Sequence, residues 1–357
     1  MSEVAAAPLK RSRPASAGAI SVGVRVLAGI AALLLAALPL LATGAPIIEA
    51  YGLMVTGALG SAFAVSETLT RATPLILTGL AAAVAFRAKL WNIGAEGQLY
   101  AGAIATVVVG TGLIEAPAFI TLPAVVLAGA AAGAFLMLIP TLLKVRLGVD
   151  EVVTTLLLNF VVLLFVQMLL DGALKDPMGM GWPQSPPVVP AAELPEIWPR
   201  TRLHAGLILG IVAALVLSFV IARTTFGFRM RAVGENAAAA RFAGISVAKT
   251  MIGVGLISGA LAGLAGVGEV AGLKGYLTSD ISPGFGYAGI VVAMLAGLSP
   301  IGSVVSALFI AAIYVGADSM SRALGVSSYL ADLIVAMALI SILIGEVVAR
   351  RLTRGAR

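Results

Sequence analysis

Apolar runs long enough to cross a bilayer recur along this chain from near its start to near its end, and that recurrence limits the fold more than any other feature. A spanning helix needs about 20 mostly apolar residues. Backbone groups in lipid have no water to bond, so only helices and closed barrels can cross. The runs here are continuous rather than alternating, which removes the barrel. The reading is an all-α polytopic membrane protein. About ten transmembrane helices are expected, near residues 22–43, 70–87, 92–113, 118–141, 151–170, 203–222, 250–270, 286–299, 303–320 and 328–347. Charge agrees: 11% of the residues are charged, against about 25% in a soluble domain.

An even number of spans puts both termini on one side. On this arrangement 17 of the 23 lysines and arginines fall on that side, among them Lys10, Arg11, Arg229, Arg231 and Arg350. Short basic loops stay in the cytoplasm, so both termini are expected there. The chain then divides into a cytoplasmic extension at 1–21, a transmembrane domain at 22–347 and a basic tail at 348–357. The domain carries an outer loop at 171–202 and a cytoplasmic loop at 223–249. The net charge of +6 is in this light a topology signal, and no nucleic-acid partner is expected. Lys10, Arg11 and Arg13 before the run at 22–42 also fit a signal peptide, but the run exceeds a signal core, so an uncleaved first span is expected.

Chemistry of its own is not expected. The chain has no cysteine and a single histidine, His204, read as an ordinary interfacial residue. No Gly-x-x-x-x-Gly-Lys-Ser/Thr loop is present to cradle a nucleotide phosphate, and Gly-x-Ser-x-Gly and His-Glu-x-x-His are absent. No catalytic residue, metal site or cofactor is therefore assigned, and the chain is not read as an enzyme.

Several segments punctuate the spans. Residues 46–70 are too broken for a span and are expected as a surface-lying helix. The outer loop at 171–202 is rich in proline and glycine and holds Trp182 and Trp198. It reads either as an irregular cap anchored at the lipid boundary or as a docking surface for an external partner. The span at 286–299 is short and runs into Ser299-Pro300, which fits a tight hairpin or a broken helix near a transport site. Small residues at 128–133 and 259–268 offer faces on which helices can pack closely.

Polar groups inside spans cost energy and therefore face a cavity or a partner. Asn92, Glu96 and Gln98 open one span. Asn92 and Glu96 stand four residues apart, one helical turn, with Asn92 suited to an N-cap. Asp150 and Glu151 suit the start of another helix, and Thr155 and Asn159 point the same way from it. A mid-membrane amide such as Asn159 bonds another helix or meets a polar solute, and the solute path is the reading taken. Asp332, in the last span, needs a partner or water; Arg322 is the nearest base in sequence. The candidate translocation path is thus Asn92, Glu96, Gln98, Thr155, Asn159 and Asp332. In the loop at 223–249, Ala237–Ala240 favour helix, with Gly234 and Gly244 expected to bracket it. It reads as an amphipathic segment on the lipid surface or a short helix docked in a groove of a soluble subunit.

Four stretches carry a resemblance: 92–98, 150–159, 231–245 and 284–297. Together they resemble the permease subunits of bacterial ABC importers, nearest the nucleoside and simple-sugar branch and more distantly the branched-chain amino-acid permeases. The resemblance implies that 223–249 contacts a separate cytoplasmic ATPase, through Gly234, Glu235, Asn236, Ala238, Arg241 and Gly244. Such segments commonly read Glu-Ala-Ala-x-x-x-Gly. Aligned on Gly244, this chain has Ala238 in place of the glutamate, and Glu235 stands three residues earlier. The resemblance further implies a second permease in a heterodimer, an extracytoplasmic solute-binding lipoprotein, a small polar solute and residence in the inner membrane. Nucleosides are the expected solute, with ribose or another simple sugar as the alternative. A different class, an ion-coupled secondary transporter working through Glu96 or Asp332, predicts transport without an ATPase. A purely structural membrane protein leaves Asn159 and the loop without purpose.

Overall fold

The computed structural model describes residues 46–112 and 116–355, together with 34, 35, 37, 38, 40, 41 and 44. Residues Ile48–Val326 form the larger of two compact units, and the last helix, Ser328–Gly355, belongs to the other. Helix is the regular secondary structure among the described residues, joined by irregular segments that hold two isolated β-bridges, Gln184 with Thr278 and Glu196 with His204. Among the described residues, seven helices are long and apolar enough to cross a membrane. The expected spans at 92–113 and 286–299 are also helices, of 16 and 11 residues. The expected span at 22–43 lies mostly outside the described residues, as does the extension at 1–21.

The helices run in order as α1 Ile47–Leu59, α2 Ala62–Arg87, α3 Ala95–Gly110, α4 Ala118–Leu147, α5 Glu151–Asp171 and α6 Gly206–Arg223. Two short ones follow, α7 Thr225–Glu235 and α8 Ala237–Phe242. Then come α9 Val247–Val267, α10 Phe285–Leu295, α11 Pro300–Leu324 and α12 Ser328–Gly355. The broken stretch expected at 46–70 splits at Gly60. Ser61 caps α2 by accepting from the Ala64 N–H at 3.0 Å, so the second half belongs to a spanning helix. The first half, α1, lies against α11, where Gly57 meets Ser319.

Burial runs against hydropathy. The spanning segment in α2 is the least apolar of the seven, yet 89% of its central window is buried; in the far more apolar α4 and α5 the figure is 22%. A membrane protein gains nothing by hiding leucine from lipid, since lipid tails are as apolar as leucine. Polar and small residues gather inside, and the greasiest surfaces face outward.

The two small-residue faces meet each other. A Cβ on Gly133 would lie 2.2 Å from the Gly259 carbonyl oxygen, and one on Gly263 would lie 2.3 Å from the Gly129 oxygen. Gly102 approaches Gly263 just as closely. Backbones of α3, α4 and α9 therefore touch directly, which is the close packing that such faces permit. Beyond Val267 the α9 rod continues as a π-helical turn, Gly268–Lys274, ended by Gly275 at φ 78°. The loop at 171–202 folds down onto this turn. Leu194 N–H donates to the Ala271 oxygen at 2.7 Å, Val188 N–H to the Gly275 oxygen at 2.8 Å, and Ser185 N–H to the Leu277 oxygen at 2.9 Å.

Candidate functional site

The amides singled out from the sequence gather into one buried cluster. Asn92 does not cap a helix: α3 begins at Ala95 with Gly94 as its N-cap, so Asn92 lies in the extended segment before it. The one-turn relation to Glu96 is lost as a result. Asn92 Nδ2 donates to Gln98 Oε1 at 2.8 Å and to Ser258 Oγ at 2.9 Å, while its Oδ1 accepts from the Gly94 N–H and from Gln98 Nε2, both at 2.9 Å. Ser258 Oγ passes the chain on to the Ala81 carbonyl at 2.7 Å.

Asn159 and Thr155 extend the same pattern from α5. Asn159 Oδ1 accepts from the Gly97 N–H at 2.8 Å, and its Nδ2 donates to the Ile93 oxygen at 2.9 Å and to the Tyr287 hydroxyl at 3.0 Å. Thr155 Oγ1 accepts from the Ile93 N–H at 3.3 Å and donates to the Glu151 oxygen at 2.6 Å. Asp150 caps α5 as its position suggests, accepting from the Val152 and Val153 N–H groups. Glu151 pairs with Lys144. Glu96 reaches a different helix altogether: its Oε2 accepts from the Gly286 N–H at 2.6 Å, in the first turn of α10, where a carboxylate suits the helix dipole. Asn92, Glu96, Gln98, Thr155, Asn159 and Ser258 are all buried and bonded to protein. Such a fully satisfied network ties α2, α3, α5, α9 and α10 together. Asp332 stands apart from it, exposed on α12 in the other unit.

At the outer-loop end of α2 the arrangement is the opposite. A cavity of about 740 Å³ opens among α1, the first turns of α2, the π-helical turn and α11. Its walls carry four acids and four bases: Glu67, Glu269, Asp280 and Asp318 facing Arg71, Arg202, Lys274 and Arg322. Arg71 pairs with Asp318 at 3.1 Å, Lys274 with Asp280 at 3.8 Å, and Arg202 with Glu67. The hydrogen bonds that Arg202 donates to Glu67 hold it above the ordinary arginine range, and the Thr278 hydroxyl, aided by Lys274, holds Asp280 below the carboxylate range. Arg71 also lies 5.6 Å from the centre of the Phe285 ring, a cation–π distance.

None of these charged groups entered the sequence-based candidate path. The signal was there for Glu269, an acid inside the apolar run of α9, where an ionisable group is costly without a purpose. For Arg71 and Asp318 there was no signal in sequence, because the two lie 247 residues apart. His204, expected as an ordinary interfacial residue, is buried within the protein. It is 1% exposed and wedged between Gly206 and Gly272. Its Nδ1 accepts from the Gly206 N–H at 3.2 Å and its Nε2 has no partner. His204 sits ahead of α6, in the bridge with Glu196, and burial pushes its pKa down to about 4.

The loop at 223–249 holds two helices rather than one bracketed by glycines. Gly234 lies inside α7, and the break falls at Asn236, whose side chain accepts from the Ala238 and Ala239 N–H groups, both at 3.0 Å, and so starts α8. Gly234 is there for a close approach: a Cβ would lie 2.0 Å from the Arg87 carbonyl oxygen. Lys89 donates to the Glu235 oxygen at 3.4 Å, and Arg87 to the Leu298 oxygen at 2.6 Å. The pair is thus docked on the far end of α2, about 25–30 Å along that helix from the cavity at 1.5 Å per residue. Glu235, Asn236, Ala238, Arg241 and Gly244 are exposed, and Phe242 is 96% exposed.

A multi-pass helical protein with a solute-sized polar cavity at one end and an exposed helix pair at the other has the build of a transport protein. The chain belongs to the family described as branched-chain amino acid transport system / permease component, whose model matches residues 64–343. It is 37% identical over 316 residues to the guanosine ABC transporter permease protein NupP of Bacillus subtilis, covering 88% of this chain and 90% of that one. It is 36% identical to the glucose ABC transporter permease protein TsgB13 of Haloferax volcanii, over 92% of this chain and 88% of the relative. The nucleoside ABC transporter permease protein NupB of Lactococcus lactis is 35% identical over 81% of this chain and 82% of its own length. No solved structure matches the chain.

Proposed function

We propose that this chain is the membrane-spanning subunit of an ATP-driven importer whose solute is a nucleoside. The similarity to two nucleoside permeases over more than four fifths of each chain carries this reading. The cavity supports it: about 740 Å³ falls within the range of about 300–1,000 Å³ for small-molecule sites, and its walls mix hydrogen-bonding and aromatic groups. A simple sugar is the second reading, favoured by the glucose permease at 36% identity.

In this proposal ten helices span the inner membrane, with both termini in the cytoplasm. The basic residues of the 223–249 loop then face inward. The helices α7 and α8, with Phe242 outermost, enter a groove on a cytoplasmic ATPase, and Gly234, Glu235, Asn236, Ala238, Arg241 and Gly244 hold or border the contact. A helix laid in a groove is a recurrent mode of recognition. A second permease completes the pore, and a solute-binding lipoprotein delivers solute above the outer loop. Asn92, Glu96, Gln98, Thr155 and Asn159 brace the helices along the path rather than touch the solute.

The test is purification of the tagged chain with its co-expressed partner subunits in mild detergent, for the wild type and Phe242→Ala. Co-purification of an ATPase by the wild type, lost in the variant, with ATP-dependent nucleoside uptake in liposomes, is the expected outcome. Uptake by the chain alone, without ATP and sensitive to an ion gradient, overturns it in favour of a secondary transporter.

A further inference from the structure

Glu269 is the odd member of the cavity. The other three acids are each paired with a base, whereas Glu269 makes no hydrogen bond or ion pair among the described residues. It is only 3% exposed, yet its carboxylate oxygens are not sealed in. The sealed side-chain atoms without partners are Arg87 Nε and His204 Nε2, so the Glu269 oxygens are reached from the cavity they line. Arg71, Arg202 and Lys274 lie near enough to act on the carboxylate electrostatically.

Its mounting is rigid. Glu269 is the second residue of the π-helical turn, and such turns occur where a helix must re-aim a side chain. The 171–202 loop bonds to this turn and to Leu277 just after it, and His204 fills the space against Gly272. A carboxylate held this way is pre-arranged to accept hydrogen bonds and needs no rearrangement to do so. In its ionised form it accepts with two oxygens and donates nothing, so it suits a ligand offering two neighbouring donors.

We propose that Glu269 is the specificity-determining residue of this cavity and accepts from both hydroxyls of a vicinal diol on the solute. The inference rests on the importer reading and sharpens it. A vicinal diol is what a ribonucleoside and a simple sugar have in common, so one carboxylate serves either solute. The same residue disfavours solutes that lack the diol and leaves the apolar part of the solute to the half-open Phe63 side of the cavity.

The experiment uses the full transporter, with its ATPase, second permease and binding protein, in liposomes. Uptake of guanosine, ribose and glucose is measured at saturating solute, each beside its analogue without the vicinal diol. At saturation the binding protein is fully loaded with either solute, so a rate difference reports the permease step. The wild type is expected to favour the diol by about ten-fold or more, the effect of one or two hydrogen bonds to a charged group. Glu269→Gln, of the same shape but with one acceptor replaced by a donor, is expected to abolish that preference while retaining ATPase co-purification. Glu269→Asp is expected to keep the preference at a lower rate, and it carries the test if the glutamine variant fails to assemble. An unchanged preference in Glu269→Gln, or its loss in an assembled Glu269→Asp, overturns the inference alone. ATP-driven uptake of none of the three solutes by the wild type overturns the importer reading and the inference with it.

Discussion

The buried amide cluster and the charged cavity are both polar regions inside an apolar bundle, and they are built on opposite plans. In the cluster, neutral groups bond one another and the backbone until nothing is left over: Asn92 alone engages Gln98, Ser258 and Gly94. In the cavity, full charges stand in pairs around open space and one carboxylate stands unpaired. The first plan stabilises a helix arrangement, because a satisfied network inside a low-dielectric medium is rigid. The second keeps polar surface available to a ligand. A polar residue in a span is therefore no sufficient sign of a transport path; the sign is what its hydrogen-bonding groups are left to do.

The sharpest way to break the comparison is to put leucine into the cluster. Asn159→Leu strands the Gly97 N–H and the Ile93 carbonyl in a buried site. Each orphaned group costs about 1–3 kcal/mol. A large fall in folded yield and in the detergent melting temperature is expected, with solute preference unchanged in whatever protein folds. A well-folded variant with altered preference would return Asn159 to the solute path.

Cavity substitutions should do the reverse. Arg71→Met removes a half-exposed ion pair with Asp318 and a cation–π contact, and exposed pairs contribute at most about 1 kcal/mol. The melting temperature is expected to stay within a few degrees of wild type while ATP-driven uptake drops several-fold. Wild-type uptake would remove the cavity from the path.

Glu96→Gln falls between these two. It keeps an acceptor for the Gly286 N–H and loses the charge that favours the start of α10. Helix-dipole effects run to about 0.3–1 kcal/mol, so a modest loss of stability is expected, with uptake per folded molecule preserved. Loss of uptake in a stable Glu96→Gln protein would favour the ion-coupled alternative.

The smallest effect expected is a pH effect from His204, which borders the π-helical turn without entering the cavity wall. Its folded pKa of about 4 lies below the ordinary value of 6.5, so the unfolded chain binds the proton more readily. Stability from this group is complete above the ordinary value and falls as pH drops from there toward about 4. Comparing melting temperatures at pH 7.5 and 5, the wild type should lose more than His204→Gln. Equal losses would show that the ring is not held neutral.

Much of this protein was legible before folding. The apolar runs place the helices because hydropathy and length act locally, within about 20 residues. The small residues at 128–133 and 259–268 announced a close crossing, and they meet. Boundaries held less well where a single side chain decides them: Ser61 starts α2 early, and Asn236 splits the loop in two. The family resemblance was carried by short motifs, three of which contribute residues to the buried cluster while the fourth, 231–245, lies in the exposed helix pair. Motif residues are visible in sequence because they lie close together in it.

Sequence by itself determined that the chain is a many-helix membrane protein, since that conclusion needs only composition and the length of the apolar runs; the permease type came from a family resemblance carried by short motifs. Tertiary structure alone decided which polar groups are satisfied and which are left open. Glu96 finds Gly286 across 190 residues, and Arg71 finds Asp318 across 247. Hydropathy is a property of a segment, whereas a partner is a property of the packing, and no rule of local spacing reports a contact between helices so far apart in the chain.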